Sequence, residues 1–206
     1  MSNTTGPKSR LFRRFGIRLP TNNELKQTHP TLKKAYPPGM HGPKGSFSKK
    51  SEYARQLMEK QKAKVIFNVS EKQIKKYYEM ASSKEGITGD EMLKLLEQRL
   101  DNVIFKSGMA ATRYQARQMV NHGLIELNGK VASVPSMQVK VGDKFTVVAK
   151  KKDSPLFKQN IERGTKAPHW LSVDLKNLSG LVERNPDKGE LEPLVSAHLI
   201  VEFYSK

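Results

Sequence analysis

From Ser51 onward, apolar residues recur first with a helical period and later with a strand period. Tyr53, Ala54, Leu57 and Met58 follow Ser51 at helical spacing, predicting a helix with Ser51 as its N-cap. Ser70-Glu71-Lys72-Gln73 reads as a capping box, a serine whose hydroxyl and a glutamine whose side chain satisfy each other's backbone donors. It opens a second helix with Ile74, Tyr77, Tyr78 and Ala81 inward and Lys72, Lys75 and Lys76 on the far side. Thr88 to Glu91 repeats the box, and Met92, Leu96, Leu100 and Val103 then form one stripe that Gly108 stops. Thr112 to Gln115 reads as a third capping box and opens another helix. Ala116, Met119 and Val120 line one arc of it, and Arg113, Tyr114, Arg117, Gln118 and Asn121 the other. Gly123 stands where a helix-ending glycine belongs.

After Gly123 the period drops to two. Leu124 to Leu127 alternates, Asn128-Gly129 is a two-residue hairpin signal, and Lys130 to Ala132 returns. A further hairpin is expected from residues 138–140 and 144–148 around Val141-Gly142-Asp143. Two short helices followed by small antiparallel hairpins predict a compact unit over roughly 91–150. Beyond it the signal weakens. Ile161, Trp170, Val173, Leu175 and Leu178 imply packed structure with a hairpin near Ser179-Gly180, and His198 to Tyr204 (HLIVEFY) reads as a buried final strand. The fold class is α+β.

Charge changes this picture more than composition does. The chain has 206 residues, 37 Lys+Arg, 20 Asp+Glu and no cysteine, for a net charge of +17. Residues 1–50 carry +10 of it, 51–100 carry +2, 101–150 carry +4 and 151–206 carry +1. Such an excess calls for a polyanion: nucleic acid or an anionic membrane. No run is long and apolar enough to span a bilayer, and the N-terminus lacks the apolar core of a secretory signal. Without cysteine there is no disulfide scaffold and no thiolate zinc site, which fits a cytosolic protein. The first fifty residues, broken by Pro30, Pro37, Pro38, Gly39, Gly42, Pro43 and Gly45, predict a basic, extended arm. Phe12, Phe15, Leu19, Tyr36 and Phe47 interleave with its cations, an arrangement that can pack on a domain or stack on bases.

These patterns nominate RNA-contacting residues. Arg10, Arg13, Arg14 and Arg18 form a clamp in the arm, and Lys44, Lys49, Lys50, Arg55, Lys60 and Lys62 extend it along the first long helix. Lys72, Lys76, Arg99 and Lys130 add cations, and His122 reads as a turn or RNA-edge residue rather than a metal ligand. Arg113, Tyr114, Arg117 and Gln118 sit on one face of a short helix, beside an N-terminus whose free N–H groups also favour phosphate. Arginine's planar fork can hold phosphate bidentately, which lysine cannot. Catalytic signals are weak. The five histidines are scattered without an H-E-x-x-H pair, and no phosphate-binding glycine loop or G-x-S-x-G elbow exists. Arg99-Leu100-Asp101 superficially matches the R-L-D of pseudouridine synthases, but it lies on a helix of the binding unit itself. No cofactor and no metal are expected.

The stretch EQRLDNVIFKSGMAATRYQARQMVNHGLIELNGKVASVPSMQVKVGDKF, positions 97–145, resembles the RNA-binding module named after ribosomal protein S-four. Residues 51–81, YPPGMHGP at 36–43, and the ending HLIVEFYSK resemble the bacterial ribosomal protein S-four family more broadly. The resemblance implies a basic arm over 1–50 and a helical domain built from 51–90 and 151–206, interrupted by an RNA-binding module over 91–150. It implies a structural, non-enzymatic constituent of the small ribosomal subunit that binds a multi-helix junction in the 5′ domain of small-subunit rRNA. It further implies nucleation of assembly, an influence on translational accuracy, ribosomal protein S-five as neighbour, and messenger RNA passing close by. It also brings Tyr53 forward as a base-stacking candidate. A free RNA-binding regulator or chaperone carrying the same module is the alternative, and the two differ in whether the protein stays with small subunits through moderate salt.

Overall fold

The computed structural model describes residues 8–17, 34, 36–43, 49–162 and 167–205. Contacts divide the chain into two units. The described residues up to Met92, with 192–205, form the first, and the described residues from Leu93 to Leu191 form the second.

The first unit opens with α1 (Lys8–Arg14), so this part of the arm is helical rather than extended. The stretch 8–15 contains neither glycine nor proline, and Phe12 is buried, which gives the helix an anchor. Helix α2 (Glu52–Phe67) begins as expected: the Ser51 hydroxyl accepts from the Ala54 N–H at 3.3 Å. The capping box at Ser70 is present in both directions and opens α3 (Glu71–Ser82). Ile74, Tyr77 and Ala81 of α3 are buried. The last element of the chain is α8 (Ala197–Tyr204), so HLIVEFY is a helix and not a strand. Its β-branched and aromatic residues favour strands locally, but Ile200, Phe203 and Tyr204 fall on one helical face. That face meets α2 and α3: Phe203 lies 5.7 Å from Tyr53, and Tyr204 stacks on Tyr78 at 5.1 Å. Tertiary packing here overrides local preference. His198, expected as a packed strand residue, is exposed.

The single helix expected from Thr88 to Gly108 is two: α4 (Thr88–Glu97), which crosses the unit boundary, and α5 (Leu100–Lys106). The break has a hydrogen-bonding cause. Leu100 and Asp101 donate their backbone N–H to the carbonyls of Met137 and Pro135, at 2.9 and 3.2 Å, and Val139 donates to Gln98 at 2.9 Å. A passing loop thus takes over from the helix ladder at this point. Helix α6 (Arg113–Asn121) is capped by Thr112, which accepts from the Gln115 N–H. Gln115 in turn accepts from Ala111 rather than from Thr112. Gly123 has φ +64, as a helix-terminating residue requires.

Among the described residues, the second unit contains one antiparallel sheet of five strands in the order β2-β1-β3-β5-β4. They are β1 (Ile125–Leu127), β2 (Lys130–Ala132), β3 (Lys144–Val147), β4 (Leu171–Asp174) and β5 (Ser179–Val182). The β1–β2 hairpin turns at Asn128-Gly129, both with positive φ (50° and 77°). The expected hairpin around Gly142 does not form: β3 pairs with β1 and β5, while Gln138 bridges to Arg99. Phe145 is opposite Gly180, and a Cβ at Gly180 would stand 2.3 Å from the Phe145 ring. Helix α7 (Pro155–Glu162) contributes Phe157 to the same core, together with Trp170, Leu171, Leu178 and Val182. The described residues between 151 and 191 fall in the second unit with the module, and residues 192–205 fall in the first. The paired strands β4 and β5 have no local signal for joining β3, which is why periodicity alone misplaces them.

Candidate RNA-binding residues

Three of the nominated cations are structural. In the second unit, Arg99 is fully buried. Its Nε and Nη2 donate to the two carboxylate oxygens of Asp101 at 3.0 and 2.7 Å, a bidentate fork. Arg113 is 5% exposed; its Nε donates to Asn102 Oδ1 at 2.7 Å and its guanidinium lies 4.6 Å from the centre of the Phe105 ring. Asn102 donates onward to the carbonyl and side chain of Glu97, which also pairs with Lys106 at 3.8 Å. Arg113 thereby ties α6 to α5 and the end of α4.

In the first unit, Lys60 is 6% exposed. Its ammonium lies 2.8 Å from Glu71 Oε1 and 4.0 Å from the centre of the Phe203 ring. Lys64 reaches the other Glu71 oxygen at 2.9 Å, and the Tyr204 hydroxyl donates to Oε1 at 2.8 Å. Burial alone would raise the Glu71 pKa, but the hydrogen bonds from Lys60, Lys64 and Tyr204 outweigh it and bring it from 4.5 down to about 2. Burial, reinforced by the contact with Glu71, pushes the Tyr204 phenol well above its ordinary range. Glu71 thus joins α2, α3 and α8. The i, i+4 spacing of Lys60 and Lys64 was the available sign that both meet one partner.

The remaining candidates are accessible to differing degrees. Arg10, Arg14, Lys49, Lys50, Arg55, Lys72 and Lys76 are exposed in the first unit, with Arg55 paired to Glu52. Lys62 is half-buried and paired to Glu59. Arg13 bends back on the arm: its guanidinium donates to the Tyr36 carbonyl at 2.9 and 3.1 Å and lies 4.9 Å from that ring's centre. Tyr53 is 57% exposed, one face against Phe203 and the rest open. In the second unit Gln118, His122 and Lys130 are exposed, while Tyr114 and Arg117 are half-buried. Burial raises the Tyr114 phenol above its usual range. Arg117 Nη1 donates to Asp101 Oδ2 at 3.3 Å. Arg18 and Lys44 lie outside the described residues. Exposed Lys140 and Lys144, on either side of the turn at Gly142, are basic positions that the sequence reading left out.

Each unit thus retains exposed cations beside a rigid helical frame, suited to phosphate contacts that position rather than read sequence. Among the described residues, no helix is long and apolar enough to cross a membrane.

Residues 3–97 match the ribosomal protein S4/S9 N-terminal domain, and residues 98–145 match the S4 domain. The chain is 46% identical to small ribosomal subunit protein uS4 of Natranaerobius thermophilus and 44% identical to uS4A of Symbiobacterium thermophilum. It is 41% identical to uS4 of Thermus thermophilus, and each of these alignments covers 100% of this chain and 100% of the relative. The chain therefore belongs to the uS4 family of small ribosomal subunit proteins.

Proposed function

We propose that this protein is a structural, rRNA-binding constituent of the small ribosomal subunit, working in the cytoplasm as part of the ribosome and catalysing no reaction. The observation that carries this reading is the end-to-end match to proteins named as small ribosomal subunit uS4. The finer assignment is a multi-helix junction in the 5′ domain of small-subunit rRNA, bound early in assembly. Ribosomal protein S-five and messenger RNA are the proposed neighbours, and translational accuracy the property affected.

The chemistry supports a shape-and-phosphate mode of binding. Lys72 and Lys76 on α3, and Arg117, Gln118, His122 and Lys130 around α6 and the β1–β2 turn, offer donors from fixed secondary structure. If about eight phosphates are neutralised, log K falls against log salt with a slope of roughly −6 to −7. Hydroxyl-radical footprinting on small-subunit rRNA, with binding measured from low to moderate salt, tests the reading. Compact protection within the 5′ domain and a steep slope are expected. Scattered protection or a slope near zero would overturn it, and release from small subunits in moderate salt would favour a free RNA-binding regulator.

A further inference from the structure

Helix α6 carries two arginines one turn apart, Arg113 and Arg117, and the structure gives them different surroundings. Arg113 is buried against Asn102 and Phe105. The Arg117 side chain is 24% exposed and pairs with Asp101. Asp101 is itself buried, and both of its carboxylate oxygens already accept from the wholly buried Arg99. The three groups form a line of charge from core to surface: positive, negative, positive. Arg99 cancels Asp101, so the carboxylate can fix the Arg117 fork in direction without consuming its charge. A long side chain held this way meets a phosphate with less freedom left to lose.

We propose that Asp101 is a positioning residue for RNA, aiming Arg117 at a phosphate while Arg99 neutralises the carboxylate behind it. This rests on the rRNA-binding reading above. It predicts a sign that simple electrostatics does not. Asp101→Asn removes a negative charge from a protein that binds a polyanion, so a purely through-space effect tightens binding. If Asp101 positions Arg117, binding weakens instead.

The experiment measures binding of full-length protein to a 5′-domain fragment of small-subunit rRNA over a salt series, with circular dichroism and thermal melting to confirm folding. Arg117→Ala should weaken binding about ten-fold, the scale of one charge-assisted hydrogen bond. Asp101→Asn should approach that loss and flatten the salt slope by about 0.7–0.9, one phosphate's worth. The double variant Asp101→Asn/Arg117→Ala should bind no more weakly than Arg117→Ala alone. If Asp101→Asn fails to fold because Arg99 is left uncompensated, Arg99→Met/Asp101→Asn removes both buried charges, and the same weakening is expected. A folded Asp101 variant that binds as tightly as the unsubstituted protein, or that loses equally with and without Arg117, overturns the proposal. So does an Arg117→Ala protein with undiminished affinity, even while the unsubstituted protein binds. Failure of the unsubstituted protein to bind this RNA overturns the functional reading, and the proposal with it.

Discussion

Among the described residues, the buried cation of the unit built from α2, α3 and α8 is Lys60, and those of the unit that holds α5 and α6 are Arg99 and Arg113. Lys60 is neutralised by a carboxylate whose side chain is 45% exposed, and two aromatic rings cover the rest. Arg99 is matched by a carboxylate buried with it, and Arg113 is held against the Asn102 amide and the Phe105 ring. A point charge on a flexible stem tolerates a wet partner, whereas a planar fork in a dry site needs its acceptors fixed in advance. The lysine cluster should therefore respond to solvent and pH, and the arginine brace to geometry. The contrast also shows that a count of basic residues overstates the charge offered to RNA, because both units use cations to hold helices together.

The widest gap between the two regions should appear on truncating the cations. Arg99→Met leaves Asp101 without its main partner in a buried site, and a loss of about 3–5 kcal/mol is expected in denaturant unfolding. Lys60→Met leaves Glu71 with Lys64, Tyr204 and solvent, and about 1–2 kcal/mol is expected. Equal losses would break the comparison. Next in size is Gly180→Ala, which sets a methyl against the Phe145 ring and should cost about 1–3 kcal/mol by melting, since a packed core yields poorly to added volume.

Smaller is the pH response of the lysine cluster. The folded Glu71 pKa lies below its unfolded value, so its contribution is complete above about pH 4.5 and disappears as pH falls toward 2. After solvent screening this amounts to about 1 kcal/mol, and the acid limb of the stability curve should lose it in Glu71→Gln. Smallest in stability are Lys72→Ala and Lys76→Ala on the exposed face of α3. Melting should move by less than about 0.5 kcal/mol. If these lysines touch rRNA, each substitution flattens the salt slope by about 0.7–0.9.

Much of the first unit and of the module was legible because their signals are local. Ser51, Ser70 and Thr112 cap helices through contacts three residues away, and Asn128-Gly129 turns a hairpin by its own backbone preference. What escaped was non-local. The helix breaks at residues 98 and 99 because residues 135–139, far along the chain, offer carbonyls to Leu100 and Asp101 and a donor to Gln98. HLIVEFY is helical because α2 and α3 present a surface for one of its faces. Among the site residues, Lys72, Lys76, Gln118, His122 and Lys130 are exposed as their helix faces and turns implied. The burial of Arg99, Arg113 and Lys60 was not legible for one reason: charge alone does not reveal a partner such as Asp101, Asn102 or Glu71, which only tertiary contact supplies.

The position of β3 in the middle of the sheet has a consequence in time. Its neighbour β1 precedes it in the chain, but β5, on its other side, ends roughly 35 residues later. At translation rates of about 5–20 residues per second, that delay lasts about 2–7 s. Throughout it the nascent β3 edge stands open and Phe145 has no Gly180 to lie against. An unpaired edge is a template for wrong partners. A fragment ending near residue 150 would make that waiting state permanent, and it should self-associate where the full chain does not.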